Sequence, residues 1–388
     1  GCFRTKYDQF HYVDNLSKQA TESFLQSTHQ QYYEKFARHF GKTILGFFDD
    51  ERGLYANFKE IEDRGTLPFN ETLWESHLQN HGVSLWEDIV NVYGGQESAN
   101  RQARLRFFET VSQLYVANLA RIREWTKRHN VLSIGHLLVE ENPSDIVTTQ
   151  ADPFKALATF DYAGYDLIGG INPSRQIMAA TFARSVAQTY GKPTVMAETF
   201  GEFGNKLSPD DMRNVLRWQA RYGTDMGVWH AHYYSTRGDR KYECPPSLME
   251  EPIWSETPNL VADFKSQCEG FTSSSQYDAV YYPVKAIQAA YNPRDPREAR
   301  RISRALVEKT SSLYDGGIRF DLLDDAAIAD RLPRYGRLHV PRSTVMPIKT
   351  LEEIERFSYD EGIVVFYDGK PRFSEHDSEQ NTFDGMMD

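Results

Sequence analysis

The chain has 388 residues and a formal net charge of −11, so it exceeds one average domain and opposes nucleic acid or an anionic membrane with like charge. Its three cysteines, Cys2, Cys244 and Cys268, are too few and too dispersed for a disulfide framework or a zinc knuckle, and leave room for one Cys244–Cys268 bridge. No apolar run spans a membrane and no basic-then-apolar leader opens the chain, while aromatic residues at 13% suffice for a core and a carbohydrate cleft together.

Between Asn15 and Gly41, the residues Phe24, Thr28, Tyr32, Phe36 and Phe40 fall on one helical stripe, and Gly41 supplies a C-terminal stop. A strand from Thr43 follows and ends in Asp49, Asp50, Glu51 and Arg52. After a polar stretch holding Pro68 and Trp74, the spacing of Leu105, Phe108, Val111, Tyr115, Leu119 and Ile122 predicts a long amphipathic helix over 96–129. That helix leads into a strand from Val131 that ends at Glu140, Glu141 and Asn142. A third strand is expected at 166–171, then a helix over 175–190 broken by Gly191-Lys192-Pro193, then a strand from Thr194 to Glu198. Ser208, Pro209, Asp210 and Asp211 read as N-cap, first-turn proline and acidic first turn of a helix to about Tyr222, and a strand from Met226 carries His230.

Strands separated by helices of this length pair in parallel with right-handed crossovers, as a closed barrel or as an open doubly wound sheet. About five such strands precede Pro245, three short of the eight that a barrel needs. The expected class is therefore α/β: a (β/α) TIM-type barrel over 1–258, in a piece of a longer protein whose first strands precede this chain. Beyond Pro258 the pattern restarts with strand-like 277–283, helical 297–314, a strand at 318–323, a helix at 350–359 and a strand at 362–367. This fits a partial flavodoxin- or amidotransferase-like α/β domain over 275–388, accessory because it has neither a nucleophile elbow nor a glycine-rich phosphate loop.

Barrel chemistry collects where strands end at their C-terminal side. Glu198 stands at such an end, as do Glu140 and Asp50. Two carboxylates across a barrel mouth are what glycosidic cleavage requires, and Glu140 with Glu198 is the pair the strand ends offer. In a regular strand His136, Leu138 and Glu140 share one face and Glu141 turns away, whereas a register slip of one residue exchanges the two acids. Strand-end acids also cap helices or pair with arginines. Asp49, Asp50 and Glu51 can hold a hard cation, position sugar hydroxyls or pair with Arg52, with substrate or structural roles preferred. His230 and His232, two apart on a strand, suit hydrogen bonds to hydroxyls and, as the second reading, metal ligation. Trp229, Tyr233 and Tyr234, with Arg237, Arg240 and Lys241, make either a stacking and anchoring wall or a packed barrel end with solvated charges. Asn15-Leu16-Ser17 and Asn70-Glu71-Thr72 match a glycosylation pattern short enough to arise by chance.

Taken in order, Tyr12-Val13-Asp14, 40–51, 135–141, 197–201, 230–235 and 245–247 resemble glycoside hydrolase family 106, the α-L-rhamnosidase family, over most of residues 10–250. The resemblance implies a catalytic barrel that hydrolyses terminal rhamnosides with inversion, commonly with a bound calcium ion whose ligands it leaves unassigned. It implies Glu140 as general acid and Glu198 as general base, with substrate contacts from Asp50, Glu51, His136, Glu141, Trp229, His230, His232 and Tyr234. Inversion predicts carboxyls roughly 6.5–9.5 Å apart, and about 5 Å indicates a retaining route. A carbohydrate partner and a bacterial periplasmic or extracellular location follow. Three alternatives stand beside it: a retaining β-galactosidase-like glycosidase, a catalytically silent carbohydrate-binding relative, and a metal-dependent hydrolase built on His230, His232 and Glu198.

Overall fold

A computed structural model describes residues 3–4, 11–55, 65–170, 173–233, 235, 237, 246–269 and 277–376. Five strands, β1 (Gly46–Arg52), β2 (Leu132–Leu137), β3 (Tyr162–Leu167), β4 (Val195–Thr199) and β5 (Met226–Trp229), make a parallel sheet. Its spatial order is its sequence order. A doubly wound sheet reverses direction at a switch point, whereas steady winding belongs to a (β/α) barrel, so the described strands form a half-barrel.

The flanking helices follow from local chemistry. α1 (Lys18–Ser27) starts at Ser17, whose side chain accepts the Ala20 N–H. The single helix expected to Gly41 breaks at Thr28, where the hydroxyl donates to the Phe24 carbonyl at 2.6 Å, and α2 (His29–Phe36) resumes after it. Two helices that the hydrophobic pattern did not mark, α3 (Glu71–His81) and α4 (Leu85–Val92), precede α5 (Ser98–Arg128). The predicted stripe of α5, from Leu105 to Ile122, is buried, and each such side chain contributes roughly 1.5–3 kcal/mol. Then come α6 (Pro143–Gln150), α7 (Pro153–Leu157) and α8 (Pro173–Thr189). α9 (Pro209–Arg221) begins with the predicted Ser208 cap, closed reciprocally by the Asp211 side chain. α10 (Ile253–Glu269) runs unbroken through Pro258, the residue at which the sequence pattern restarts.

β3 begins four residues before the expected 166–171. Its first half is Tyr162, Ala163, Gly164 and Tyr165, in which small residues hide the apolar run. Those small residues are needed: a Cβ on Gly135 of β2 would sit 2.3 Å from the Asp49 carbonyl oxygen, and one on Gly164 would sit 2.2 Å from the Gly135 carbonyl oxygen.

The second sheet holds β6 (Asp278–Tyr281), β7 (Phe320–Leu323), β8 (Arg337–Val340) and β9 (Ile363–Phe366), all parallel in the order β9-β8-β6-β7. This order reverses between β6 and β8, as in doubly wound sheets. Its helices are α11 (Val284–Ala290), α12 (Arg297–Asp315), α13 (Asp325–Arg331) and α14 (Ile348–Tyr359). One hydrophobic core runs from half-barrel residues such as Tyr165 and Phe182 into Tyr282, Ile302 and Leu322. Buried polar ties reinforce that join, with Arg184 of α8 donating to Asp321 at 3.0 Å and the Ser185 hydroxyl accepting the Leu322 N–H at 2.8 Å.

Candidate active site

The C-terminal ends of β1 to β4 bring acids around one imidazole. The ladder pairs Asp49 with Gly135 and Arg52 with Leu137, so Asp50 and Glu51 together oppose the single residue His136. Such a bulge re-aims side chains, and Glu51 takes a φ of 46°, a left-handed conformation of the kind that gathers at functional sites. Asp49 turns aside to accept from Arg52 Nε at 2.6 Å. Asp50 faces inward, with Oδ1 3.3 Å from His136 Nε2.

His136 is fully buried, and its two nitrogens address acids on opposite sides. Nε2 donates to Glu198 Oε2 at 2.9 Å, and Nδ1 lies 3.4 Å from Glu140 Oε1. The contact between β2 and β4 crosses β3, where Gly164, one residue beyond the Gly135–Ala163 pair, adds no side chain to block it. Burial alone would lower the imidazole pKa, but hydrogen bonds with Asp50, Glu140 and Glu198 outweigh it and raise the pKa well above 6.5. His136 is thus an imidazolium with a donor on each nitrogen. In return it holds the Asp50 carboxyl below its ordinary 3.8.

Glu140 departs from the alternation expected of a strand. β2 stops at Leu137, Val139 adopts a φ of 61°, and the turn folds Glu140 back so that Oε1 accepts the Leu137 N–H at 2.8 Å. The residue is 3% exposed, and burial raises its carboxyl pKa against the opposing pull of His136. Glu140 and Glu198 therefore lie on opposite edges of the imidazole, with the ring between them. Glu141 does turn away, into a 350 Å³ cavity it lines with Asp145, Arg300 and Arg304.

Glu51 opens onto the mouth. Partial burial, then the charges of Asp50, Glu140 and Glu198, push its carboxyl up to about 7, with His136 opposing. Asp166, absent from the residues the sequence marked, joins the group: it pairs in register with Glu198, and parallel neighbours present side chains to the same face. Its available signal was an aspartate closing an apolar strand just before Gly169 and Gly170.

β5 ends at Trp229, so the two histidines beyond it are not strand neighbours. His230 approaches Tyr233, ring centroids 6.2 Å apart, and lies near enough to Asp50 to affect its charge, while His232 meets Trp254 of α10 at 5.9 Å. Trp229 pairs with Thr199, on the face opposite Glu198, and packs edge-on against Phe200 at 5.6 Å. Tyr234, Arg240, Lys241, Cys2 and Cys244 lie outside the described residues. Cys268 is a free thiol.

Asp50, His136 and Glu198 offer three ligand atoms within 4.8 Å of one another. Calcium takes six to eight oxygen ligands, and here the central atom is a nitrogen carrying a proton between two carboxylates. This donor set, as arranged, does not fit the calcium ion that the sequence resemblance implies.

No protein family and no curated protein matches the chain in sequence. Solved structures match in fold. A rhamnosidase from Novosphingobium sp. PP1Y superposes with a TM-score of 0.63 at 14% identity, over 94% of this chain and 35% of that one. A β-galactosidase from Bacillus circulans sp. alkalophilus gives 0.61 at 16%, over 93% and 56%. Gan42B, a GH42 β-galactosidase from G. stearothermophilus, gives 0.68 at 13%, over 95% and 57%. The chain thus spans between about a third and just over half of these proteins. The likeness establishes a shared fold that runs through both sheets.

Proposed function

We propose that the chain carries the active site of a glycoside hydrolase acting on terminal sugars, α-L-rhamnosides foremost, with Glu198 as general base and Glu51 as general acid. One observation carries this reading: a carboxyl pushed up to about 7 shares the barrel mouth with a carboxylate hydrogen-bonded to a buried imidazolium. A group that keeps its proton near neutrality can protonate a leaving oxygen, and a fixed carboxylate can take a proton from water. The names of the superposed structures, a rhamnosidase and two β-galactosidases, support the reaction class. Glu140, the acid implied by the resemblance, serves His136 in this reading, because its burial and its bond to the Leu137 N–H leave the sugar no approach. The second sheet is an amidotransferase-like accessory unit, and the protein acts in the bacterial periplasm or outside the cell.

The test is a panel of aryl glycosides with the full-length protein. Glu51→Gln and Glu198→Gln should each lower kcat/KM by about a hundred-fold or more, whereas Glu140→Gln keeps most of the activity. As pH rises through about 7, wild-type kcat/KM should fall as Glu51 gives up its proton, and Glu51→Gln should lose that one step of the alkaline limb. Cleavage of no glycoside, or a collapse confined to Glu140→Gln, would sink the assignment. A retaining β-galactosidase-like route is the second reading; the anomer first released, followed by NMR, decides between inversion and retention.

A chelator should leave turnover unchanged, since His136 already supplies the positive charge between Asp50 and Glu198. Loss of activity that calcium restores would show that these carboxylates do hold the ion.

A further inference from the structure

Asp166 is a carboxyl for which the reaction scheme has no task. It sits at the C-terminal end of β3, one strand from Glu198 and in register with it. Its Oδ1 is buried without a hydrogen-bond partner. The charged groups facing it are Glu51 from β1, His136 and Glu140 from β2 and the turn after it, and Glu198 from β4. α8 packs on the other side of β3, and its Arg184 is engaged there by Asp321.

A buried carboxylate oxygen lacking any donor is costly, and three neighbouring acids already share the one imidazolium. Holding the proton removes the conflict and turns the group from acceptor into donor. We propose, building on the glycosidase reading, that Asp166 stands in the site as a neutral carboxylic acid and donates a hydrogen bond to a substrate hydroxyl, making it a specificity-determining residue. The ligand class follows from that role: a neutral sugar presenting a hydroxyl oxygen to β3, in preference to one bearing a carboxylate or sulfate among these acids. Burial, with the nearby charges of Glu140, Glu198 and Glu51, pushes Asp166 up to about 8, which keeps it neutral at physiological pH.

The experiment has two readouts. In carbon-13 NMR of the carboxyl groups in the full-length protein, a resonance titrating near 8 should be present in wild type and missing from Asp166→Asn. In kinetics, Asp166→Asn, whose amide keeps a donor, should hold KM near wild type, while Asp166→Ala raises it roughly ten-fold. The alkaline limb of the kcat/KM profile should also lose one proton's worth of steepness in Asp166→Asn. If the Asp166 resonance titrates near its ordinary 3.8, or if Asp166→Ala leaves KM untouched, the proposal is overturned. The NMR readout needs no turnover, so a protein that cleaves no glycoside yet shows the high resonance upholds a neutral Asp166 while the hydrolase reading falls. Should Asp166→Ala not fold, the resonance and the asparagine variant still decide.

Discussion

His136→Phe should cost about four orders of magnitude in kcat/KM and several kcal/mol in stability. Phenylalanine is an uncharged ring that fills much of the space, so the loss reports charge and hydrogen bonding more than a cavity. His136 is fully buried and touches three carboxyl groups, at 2.9 Å to Glu198, 3.3 Å to Asp50 and 3.4 Å to Glu140. Removing one partner of a buried ion pair costs roughly 3–5 kcal/mol because the other charge is left uncompensated. Here the acids lose their shared counter-charge. Glu198 loses the donor at 2.9 Å that orients it as base, and Glu51, whose charge His136 helps to stabilise, shifts away from the pH at which it can exchange a proton. Each proton-transfer role contributes about 10²–10⁴-fold, so losing both accounts for the expected drop of about 10⁴-fold.

The pH dependence of stability separates this cause from simple misfolding. The folded-state pKa of His136 is raised above 6.5, so its contribution is complete below that value and lost as pH climbs through the raised one. Asp50 is lowered from 3.8, so its contribution holds above 3.8 and is lost as pH falls through the lowered value. Glu51 and Asp166, both raised, favour the fold most at low pH and cease to do so as pH passes about 7 and about 8. Urea midpoints of wild type and His136→Phe should therefore differ most between pH 3.8 and 6.5 and converge as pH falls below 3.8, where Asp50 loses its charge. A difference that persists undiminished well below pH 3.8 would mean that the ring, and not its charge, matters.

The strands that place this site were legible because their apolar runs stop abruptly at acids: the ends of β1 and β4 fell within a residue of where the sequence put them, while β2 stops at Leu137, three residues short of the expected Glu140. β3 was displaced because Ala163 and Gly164 carry too little side chain to signal burial, and β8 was passed over because Arg337 and His339 interrupt its four residues. Asp50, Glu51, His136 and Glu198 were all marked in advance, yet their mutual arrangement was not. A one-residue bulge sets two residues of β1 against His136, and a left-handed Val139 carries Glu140 beneath the imidazole. Neither leaves a trace in hydrophobic periodicity, which assumes that the strand continues at period two. His230 and His232 were misaligned for the same reason, since β5 stops one residue before them.

The join between the two sheets rests on a residue that no pattern signals. Arg104, inside α5, is fully buried, and among the described residues its guanidinium is held by backbone carbonyls. It donates from Nε to the Val92 carbonyl at 3.0 Å, from Nη1 to Ala289 at 3.0 Å, and from Nη2 to Gly94 and Gly95 at 2.6 and 2.7 Å. Burial lowers its pKa to about 10, which still leaves it charged at neutral pH. Four carbonyls from the end of α4, the turn after it and α11 thus converge on one guanidinium. Arg104→Met fills much of the volume but leaves the buried Val92 and Ala289 carbonyls without this donor, at about 1–3 kcal/mol apiece before relaxation, while Gly94 keeps its bond from the Asn292 amide at 2.6 Å and Gly95 is exposed to water. Water entering the gap recovers part of this, so the expected net loss is about 2–4 kcal/mol, measured as a lowered urea midpoint. Arg104→Lys should recover only a fraction, because an ammonium has three donors on one atom and lacks the planar fork that reaches both sides. Since Ala289 belongs to α11 and Val92 to α4, hydrogen exchange in Arg104→Met should rise first along 85–95 and 284–290, while the acids around His136 keep their titration. Faster exchange spread evenly over the half-barrel would show instead that Arg104 supports the whole core and not the join between the sheets.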